Sequence, residues 1–274
     1  MKVAASVITF NPEIDNFSLN LKSLCEQVDI IFVFDNGSEN INDIISVCHT
    51  NSAVVIKNYQ NLGISQNLNK ALQYCKDNGV DWLLTMDQDS ICSQNLIQEF
   101  TSMMPKYKDV VSFTPFIKDR NLVSNCLDSK EHYVDSCITS GNLINVDFCL
   151  SFGGFDEYYF IDCVDFDLSA SILLHGGKIL MVPTTSISHA VGEAKEHKLF
   201  GKKLISYNHS PFRNYYIVRN GCYFKRKYKR NREIKKVEHP FLKQLLIVWL
   251  YERFKIKKTK MIFKGFHDYL KGKF

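Results

Sequence analysis

Residues 82–91 read WLLTMDQDSI: an apolar run, then Asp87 and Asp89 one residue apart, then a serine. Such a run reads as a buried strand, whose end has no need of two neighbouring negative charges. Either the pair lies in a solvated turn or it shares a cation. The same pattern recurs upstream. VAASVITF (3–10), DIIFVFD (29–35) and AVVIKN (53–58) are short apolar, β-branched runs that lead into Thr9-Phe10-Asn11-Pro12, Asp35-Asn36-Gly37-Ser38 and Asn61-Leu62-Gly63. Helical spacing fills the gaps at Ile14–Cys25, Ile41–Cys48 and Ile64–Lys76, and Asn95–Met104 follows the fourth run. This alternation predicts an α/β fold with a mostly parallel central sheet flanked by helices. In such sheets ligands bind beyond the carboxyl ends of the strands, which is where the polar residues fall.

From about residue 110 the pattern changes. VVSFTPFI (110–117), ITSGNLINV (138–146) and KILMVPTTSISH (178–189) read as strands, and Asp165–Leu174 as a helix. No repeat or Pro/Ser-rich linker interrupts residues 1–200, which are expected to form one domain, with a basic helical extension over 201–274. The charge divides at the same place. Residues 1–200 hold 13 Lys and Arg against 25 Asp and Glu, a net −12; residues 201–274 hold 21 against 4, a net +17. A basic tail of this kind implies an anionic partner surface, lipid or nucleic acid.

Composition narrows the class. Of the 274 residues, 45% are hydrophobic and 23% charged, as in soluble globular proteins. Nine scattered cysteines without a C-x-x-C pair fit reduced thiols in a cytoplasmic protein rather than a disulfide framework or zinc site. The apolar stretch before Asn11 is too short for a signal peptide, and Leu245–Tyr251, the longest apolar run near the C-terminus, falls far short of a membrane span.

The polar residues point to chemistry. In a strand, carboxylates at i and i+2 project to one side roughly 6–7 Å apart, and a hard divalent ion that keeps waters and takes substrate phosphates would satisfy both. Asp35 could accept from a ribose hydroxyl or a base N–H, or simply cap the next helix in a tight Asn-Gly turn. Gly63 allows a backbone to approach a phosphate, yet neither G-x-G-x-x-G nor G-x-x-x-x-G-K-[ST] is present, which disfavours a dinucleotide dehydrogenase and a P-loop NTPase. FGGFDEYYFIDCVDFDLSASILLHGG (152–177) carries Asp156, Glu157, Asp162, Asp165 and Asp167. This can be an acidic helix start, or it can supply a general base toward a hydroxyl nucleophile.

Taken together and in order, ITFNP (8–12), FDNGS (34–38), NLGIS (61–65), LTMDQDS (84–90), ITSGNLIN (138–145), FGGFDEYYFIDCVDFD (152–167), ISHAVG (187–192) and SPFRNYYIVRN (210–220) resemble glycosyltransferase family 2, of GT-A fold. The nearest likeness is to bacterial rhamnosyltransferases. The resemblance covers residues 3 to about 225. It implies a nucleotide-binding half over about 1–110, an acceptor half over about 110–200, and inverting transfer from a nucleoside diphosphate sugar to a hydroxyl. By position, Thr9, Asn11 and Asp35 would border the nucleoside, and Gly63 and Asn69 the third strand–helix junction. Asp87 and Asp89 would be the family's D-x-D, Asp89 the direct ligand of Mg2+ or Mn2+, with His189 beside the metal or diphosphate. Ser140 and Gly141 would approach the donor sugar, Asp165 would be the catalytic base, and Asp167 would support it. Ser171 stands where the family usually has an arginine, and Ser65-Gln66-Asn67-Leu68 departs from its usual small residues; both leave donor and acceptor identity open.

Arg213 and Arg219, near Tyr215-Tyr216, could reach a diphosphate bidentately or make ordinary ion pairs. The tail mixes Leu, Ile, Val, Trp and Phe with lysines at helical spacing, as in an interfacial helix or a helix packed on the catalytic domain with its lysines solvated, and no nucleic-acid module accompanies its charge. The implied protein works at the inner face of the bacterial membrane, held peripherally on anionic lipid. It would move L-rhamnose from dTDP-rhamnose to a lipid-diphosphate-linked saccharide in O-antigen or capsule assembly. A UDP-hexose, UDP-N-acetylhexosamine or UDP-galactofuranose donor is the alternative within the class, and a non-catalytic nucleotide-sugar-binding module the alternative outside it.

Overall fold

The computed structural model describes residues 1–119, 130–189, 194–199, 202–231, 234 and 240–272. From the N-terminus run β1 (Val3–Thr9), α1 (Ile14–Leu24), β2 (Ile30–Asp35), α2 (Ile41–Thr50), β3 (Val54–Lys57), α3 (Gly63–Asp77) and β4 (Trp82–Asp87). Next come β5 (Ile91–Cys92), α4 (Leu96–Met103), β6 (Val110–Asp119), β7 (His132–Val134), β8 (Asn142–Asn145), α5 (Val146–Ser151), α6 (Val164–Leu174) and β9 (Lys178–His189). The chain continues through β10 (Lys195–Leu199), β11 (Lys202–Ser206), α7 (Pro211–Lys227), α8 (Pro240–Tyr251) and α9 (Lys255–Leu270). The run at 138–146 is strand only over Asn142–Asn145, because Gly141, at φ 77°, breaks the extension.

The described residues form two compact units. The first takes in 1–118, 130–157 and 164–189, the second 119, 158–163 and 194–272. The boundary expected at residue 200 lies outside the described residues.

In the first unit the strands lie in the order β3-β2-β1-β4-β8-β6-β9-β5, with β7 on β9. The first four are parallel, joined by the helical crossovers that the alternation requires. Beyond β4 the pairing turns antiparallel, at β4–β8, β8–β6, β9–β5 and β9–β7. Both faces of the parallel half are covered, as its near-continuous apolar runs demand. Val3, Ala5 and Val7 of β1, Ile31 and Val33 of β2, and Leu84 and Met86 of β4 join Phe17, Leu21 and Leu24 of α1 in one core. On the other face Phe32 and Phe34 meet Tyr74 of α3 edge-on, each with ring centroids 5.7 Å apart. Every large side chain buried in this way contributes about 1.5–3 kcal/mol. The eight described cysteines are free thiols, and burial pushes Cys48, Cys75, Cys137 and Cys149 up to about 12.

Beyond residue 194 the second unit runs through a hairpin, β10 against β11, into the helices expected of the basic remainder. Lys195, Lys198, Lys202 and Lys203 fit no apolar period and hide these strands in the sequence. Val218, Val248 and Ile262 form the core of α7, α8 and α9. Helix α9 approaches α7 at Gly265, where a Cβ would overlap the Tyr215 carbonyl oxygen. Segment 158–163 is gripped by α7. Arg213 donates to Asp162 Oδ1 from Nε at 3.1 Å and lies within 3.0 Å through Nη2. Asn220 Nδ2 donates to the carbonyls of Ile161 at 2.6 Å and Asp162 at 3.0 Å. Burial pushes the Asp162 carboxyl up, and Arg213 opposes that rise. Asp162 and Cys163 are both left-handed, at φ 64° and 66°, a conformation that costs about 1–3 kcal/mol for each such residue and persists only under a grip of this kind. Among the described residues no helix is long and apolar enough to cross a membrane.

His209 lies in this unit, and burial, then the charges of Arg213 and Lys258, lower its pKa to about 3. Its unfolded value is about 6.5, so below that pH the unfolded chain takes up a proton that the folded chain refuses. Stability is therefore full above about pH 6.5 and falls toward pH 3, by up to about 1.4 kcal/mol per pH unit. Denaturant titrations from about pH 7 to about pH 5 should show this slope, and His209→Gln should flatten it.

Candidate active site

The strand order reverses between β1 and β4, and their carboxyl ends meet there. Ile8 pairs with Asp87, and on the other side of β1 Thr9 pairs with Asp35. A crevice beyond such a switch point is where open α/β sheets bind ligands. Strand β4 stops at Asp87; Gln88 and Asp89 form a turn, closed by Ser90 N–H donating to the Asp87 carbonyl at 3.3 Å. The carboxylates of Asp87 and Asp89 and a ring nitrogen of His189, at the end of β9, offer ligand atoms all within 4.8 Å of one another. Two partly exposed carboxylates and an imidazole suit a hard divalent ion that completes its shell with water and substrate oxygens. The donor set fits Mg2+ or Mn2+.

This cluster is held from behind by buried hydroxyls. The Asp87 N–H donates to Ser140 Oγ at 3.1 Å, and Ser140 Oγ donates to Ser90 Oγ at 2.8 Å. Ser90 Oγ in turn lies 2.8 Å from His189 Nδ1 and orients the ring. From α1, Asn20 Nδ2 donates to the carbonyls of Asp87 at 3.0 Å and Ser90 at 2.5 Å. Gln88 accepts from the Phe10 N–H at 2.8 Å, tying the β1–α1 loop to the turn. Gly141 donates its N–H to the Thr85 carbonyl at 2.8 Å. A Cβ on Gly141 would lie 3.0 Å from Ile187 and 3.1 Å from Pro115.

Thr9 and Asp35 come together, with Thr9 Oγ1 donating to Asp35 Oδ1 at 3.0 Å. Asp35 also accepts from Ser38 Oγ at 2.5 Å and from the N–H groups of Gly37 and Ser38, both at 3.0 Å. Both of its oxygens therefore hold the Asn-Gly turn. Asn11 accepts from the Glu39 N–H at 2.8 Å and donates its own N–H to Ser38 Oγ at 2.8 Å. The Gly63 carbonyl accepts from Asn36 at 3.3 Å and Asn67 at 2.7 Å, within a buried amide network that includes Asn58. Asn69 clamps Phe155, accepting from its N–H at 2.8 Å and donating to its carbonyl at 2.9 Å.

Asp165 opens α6 outside the three-residue cluster. It accepts from the Phe166 N–H at 2.9 Å and stays partly exposed, whereas Asp167 is buried. Arg219 belongs to the second unit and is buried under tyrosines. Its guanidinium lies 4.4 Å from the Tyr158 ring centroid and 4.8 Å from that of Tyr216, and Nη2 donates to the Tyr158 carbonyl at 2.7 Å. Sequence reasoning singled out neither Asn20 nor Ser90. Asn20 had a signal: it lies in register with Phe17, Leu21 and Leu24 on the buried face of α1, where a polar side chain needs a partner.

Residues 6–143 match the model for the family described as glycosyl transferase family 2. The chain is 27% identical to a protein of Shigella flexneri named dTDP-rhamnosyl transferase RfbF, over 82% of this chain and 80% of that protein. Among solved structures, residues 1–349 of Staphylococcus aureus TarS in complex with UDP-GlcNAc superpose at a TM-score of 0.63 and 13% identity, covering 99% of this chain and 81% of that one. A mannosyltransferase from Pyrobaculum calidifontis, PcManGT, in complex with GDP-Man and Mn2+ gives 0.58 and 15%, covering 96% and 73%. These likenesses show the GT-A fold.

Two substitutions test the support behind the cluster. Ser90→Ala should leave the fold intact by circular dichroism while weakening Mn2+ binding about 10–100-fold in an EPR titration, the usual loss when an imidazole ligand loses its orienting partner. Gly141→Ala forces a Cβ against Ile187 at positive φ and should destabilise the protein by about 1–3 kcal/mol in denaturant melts.

Proposed function

The chain belongs to glycosyl transferase family 2, and from that premise we propose that it is an inverting, metal-dependent rhamnosyltransferase that uses dTDP-L-rhamnose. The observation that carries the donor is the 27% identity to a dTDP-rhamnosyl transferase along four-fifths of both chains. The acceptor proposed with it is a hydroxyl of a lipid-diphosphate-linked saccharide, the class that resemblance to the rhamnosyltransferase branch implies.

Asp87, Asp89 and His189 are the residues that would hold the ion. When bound, Mg2+ or Mn2+ would neutralise charge building on the departing diphosphate. Asp165 is the general base. It takes the proton of the acceptor hydroxyl as that oxygen bonds to the anomeric carbon, while the bond from that carbon to the diphosphate oxygen breaks on the opposite face. Its partial exposure suits it to meet an acceptor; Asp167, buried two residues on, supports the helix start. Thr9, Asn11 and Asp35 frame the nucleoside through the turn they hold together. Gly63 and Asn69 fix the α3 end of the site, Asn69 through its clamp on Phe155. Ser140 and Gly141 act beneath the donor sugar by fixing the β4 turn, and Arg219 steadies the segment that leads to Asp165.

Purified protein incubated with dTDP-rhamnose, a UDP-sugar panel and a lipid-diphosphate saccharide should add one deoxyhexose by mass, and EDTA should abolish the addition. Asp165→Asn should lower turnover about 10²–10⁴-fold while dTDP-rhamnose still binds. Transfer only from a UDP-sugar would overturn the donor, and full activity in Asp165→Asn would overturn the base.

A further inference from the structure

We propose that the elbow between α8 and α9 is a docking surface for an anionic lipid bilayer. Leu242, Leu246, Trp249 and Leu250 recur along α8 at helical spacing, each about half exposed or more, while Ile247 and Val248 on the opposite side are buried. An amphipathic helix normally turns such a row inward; here it faces out. The elbow adds Phe254 and Ile256, which are 67% and 68% exposed.

Phe254 is held in an uncommon backbone conformation, φ 55°, which is unfavourable for a bulky residue. A buried polar knot keeps it there. Glu252 and Lys258, with side chains 1% exposed, pair at 2.8 Å on either side of it. Asn208 ties the two together: its N–H donates to Glu252 Oε1 at 3.2 Å, and its Oδ1 accepts from Lys258 Nζ at 2.8 Å and from the Arg253 N–H at 3.2 Å. The exposed rings are therefore displayed by a fixed support.

Charge selects the partner. The two acids within residues 240–272 are out of reach: Glu252, between the helices, is buried in the knot, and Asp268 of α9 is buried and accepts from the Tyr215 hydroxyl at 3.0 Å. Lys243, Arg253, Lys255, Lys257, Lys260 and Lys264 are exposed. A face apolar in its centre and, among the described residues of 240–272, cationic at its rim suits acyl chains beneath anionic headgroups, with lysine stems along the apolar row and ammonium groups at the phosphates. A second copy of the same face would bring like charges together.

The chain holds two tryptophans, Trp82 and Trp249, so Trp82→Phe makes Trp249 the sole reporter. With vesicles of equal parts phosphatidylglycerol and phosphatidylcholine, Trp249 emission should shift to the blue, brominated acyl chains should quench it, and the protein should sediment with the vesicles. Leu246→Glu/Leu250→Glu should lower the partition coefficient about ten-fold or more, as should Lys255→Gln/Lys257→Gln/Lys260→Gln at low salt. No blue shift and no sedimentation at low salt would overturn the proposal, as would equal partitioning onto pure phosphatidylcholine. A blue shift that follows protein concentration without lipid, with dimers by light scattering, would assign the face to a second copy. Both variants should transfer sugar normally to a water-soluble acceptor analogue, so loss of docking and loss of the proposed reaction are read separately.

Discussion

The site depends on one constraint, the fixing of the carboxyl end of β4 from both sides of the sheet. β1 lies parallel to it on one side and β8 antiparallel on the other. The parallel neighbour brings Thr9 and its bonded partner Asp35 to the same sheet edge as Asp87. The antiparallel neighbour brings Ser140 and Gly141 under the turn that follows. Neither neighbour alone would fix Asp89, which lies beyond the last ladder bond. That residue is placed by the bonds from Asn20, Gln88, Ser90 and Ser140 that stop the turn from opening.

The division of labour among the polar residues follows from burial. Groups whose oxygens are spent on the protein's own N–H groups, Asp35 above all, cannot lose those partners without leaving several buried donors unsatisfied. They serve the site as its frame. Asp87, Asp89 and Asp165 sit partly in solvent, where a ligand can reach them. Accessible carboxylates grouped beside a buried one concentrate negative potential, which suits that end of the sheet to a cation.

What the sequence revealed was local. The strands and helices of the first hundred residues announce themselves by apolar period and by polar residues at strand ends, and the Asp87–Asp89 pair was legible for that reason. The two-residue β5 is too short to carry a period, and the β10–β11 hairpin is masked by its lysines. The hydroxyl chain behind the cluster joins residues 50 and 99 positions apart, and no spacing rule connects Ser90 to Ser140 or His189. The sequence offers Arg213 and Arg219 either to a diphosphate or to ordinary ion pairs, and Arg213 pairs with Asp162. Their engagement with 158–163 depends on which face of α7 packs inward, which the mixed tyrosine-arginine sequence does not reveal.

The segment 158–163 also bears on how the chain can be divided. It belongs to the second unit, yet its last residue, Cys163, is followed directly by α6 and Asp165. Its carboxylate, Asp162, is buried and finds its counter-charge in Arg213, some fifty residues later. The second unit is therefore not a detachable tail. A chain cut before α7 would carry the proposed base behind a pair of left-handed residues with nothing to hold them and a buried carboxylate with no cation.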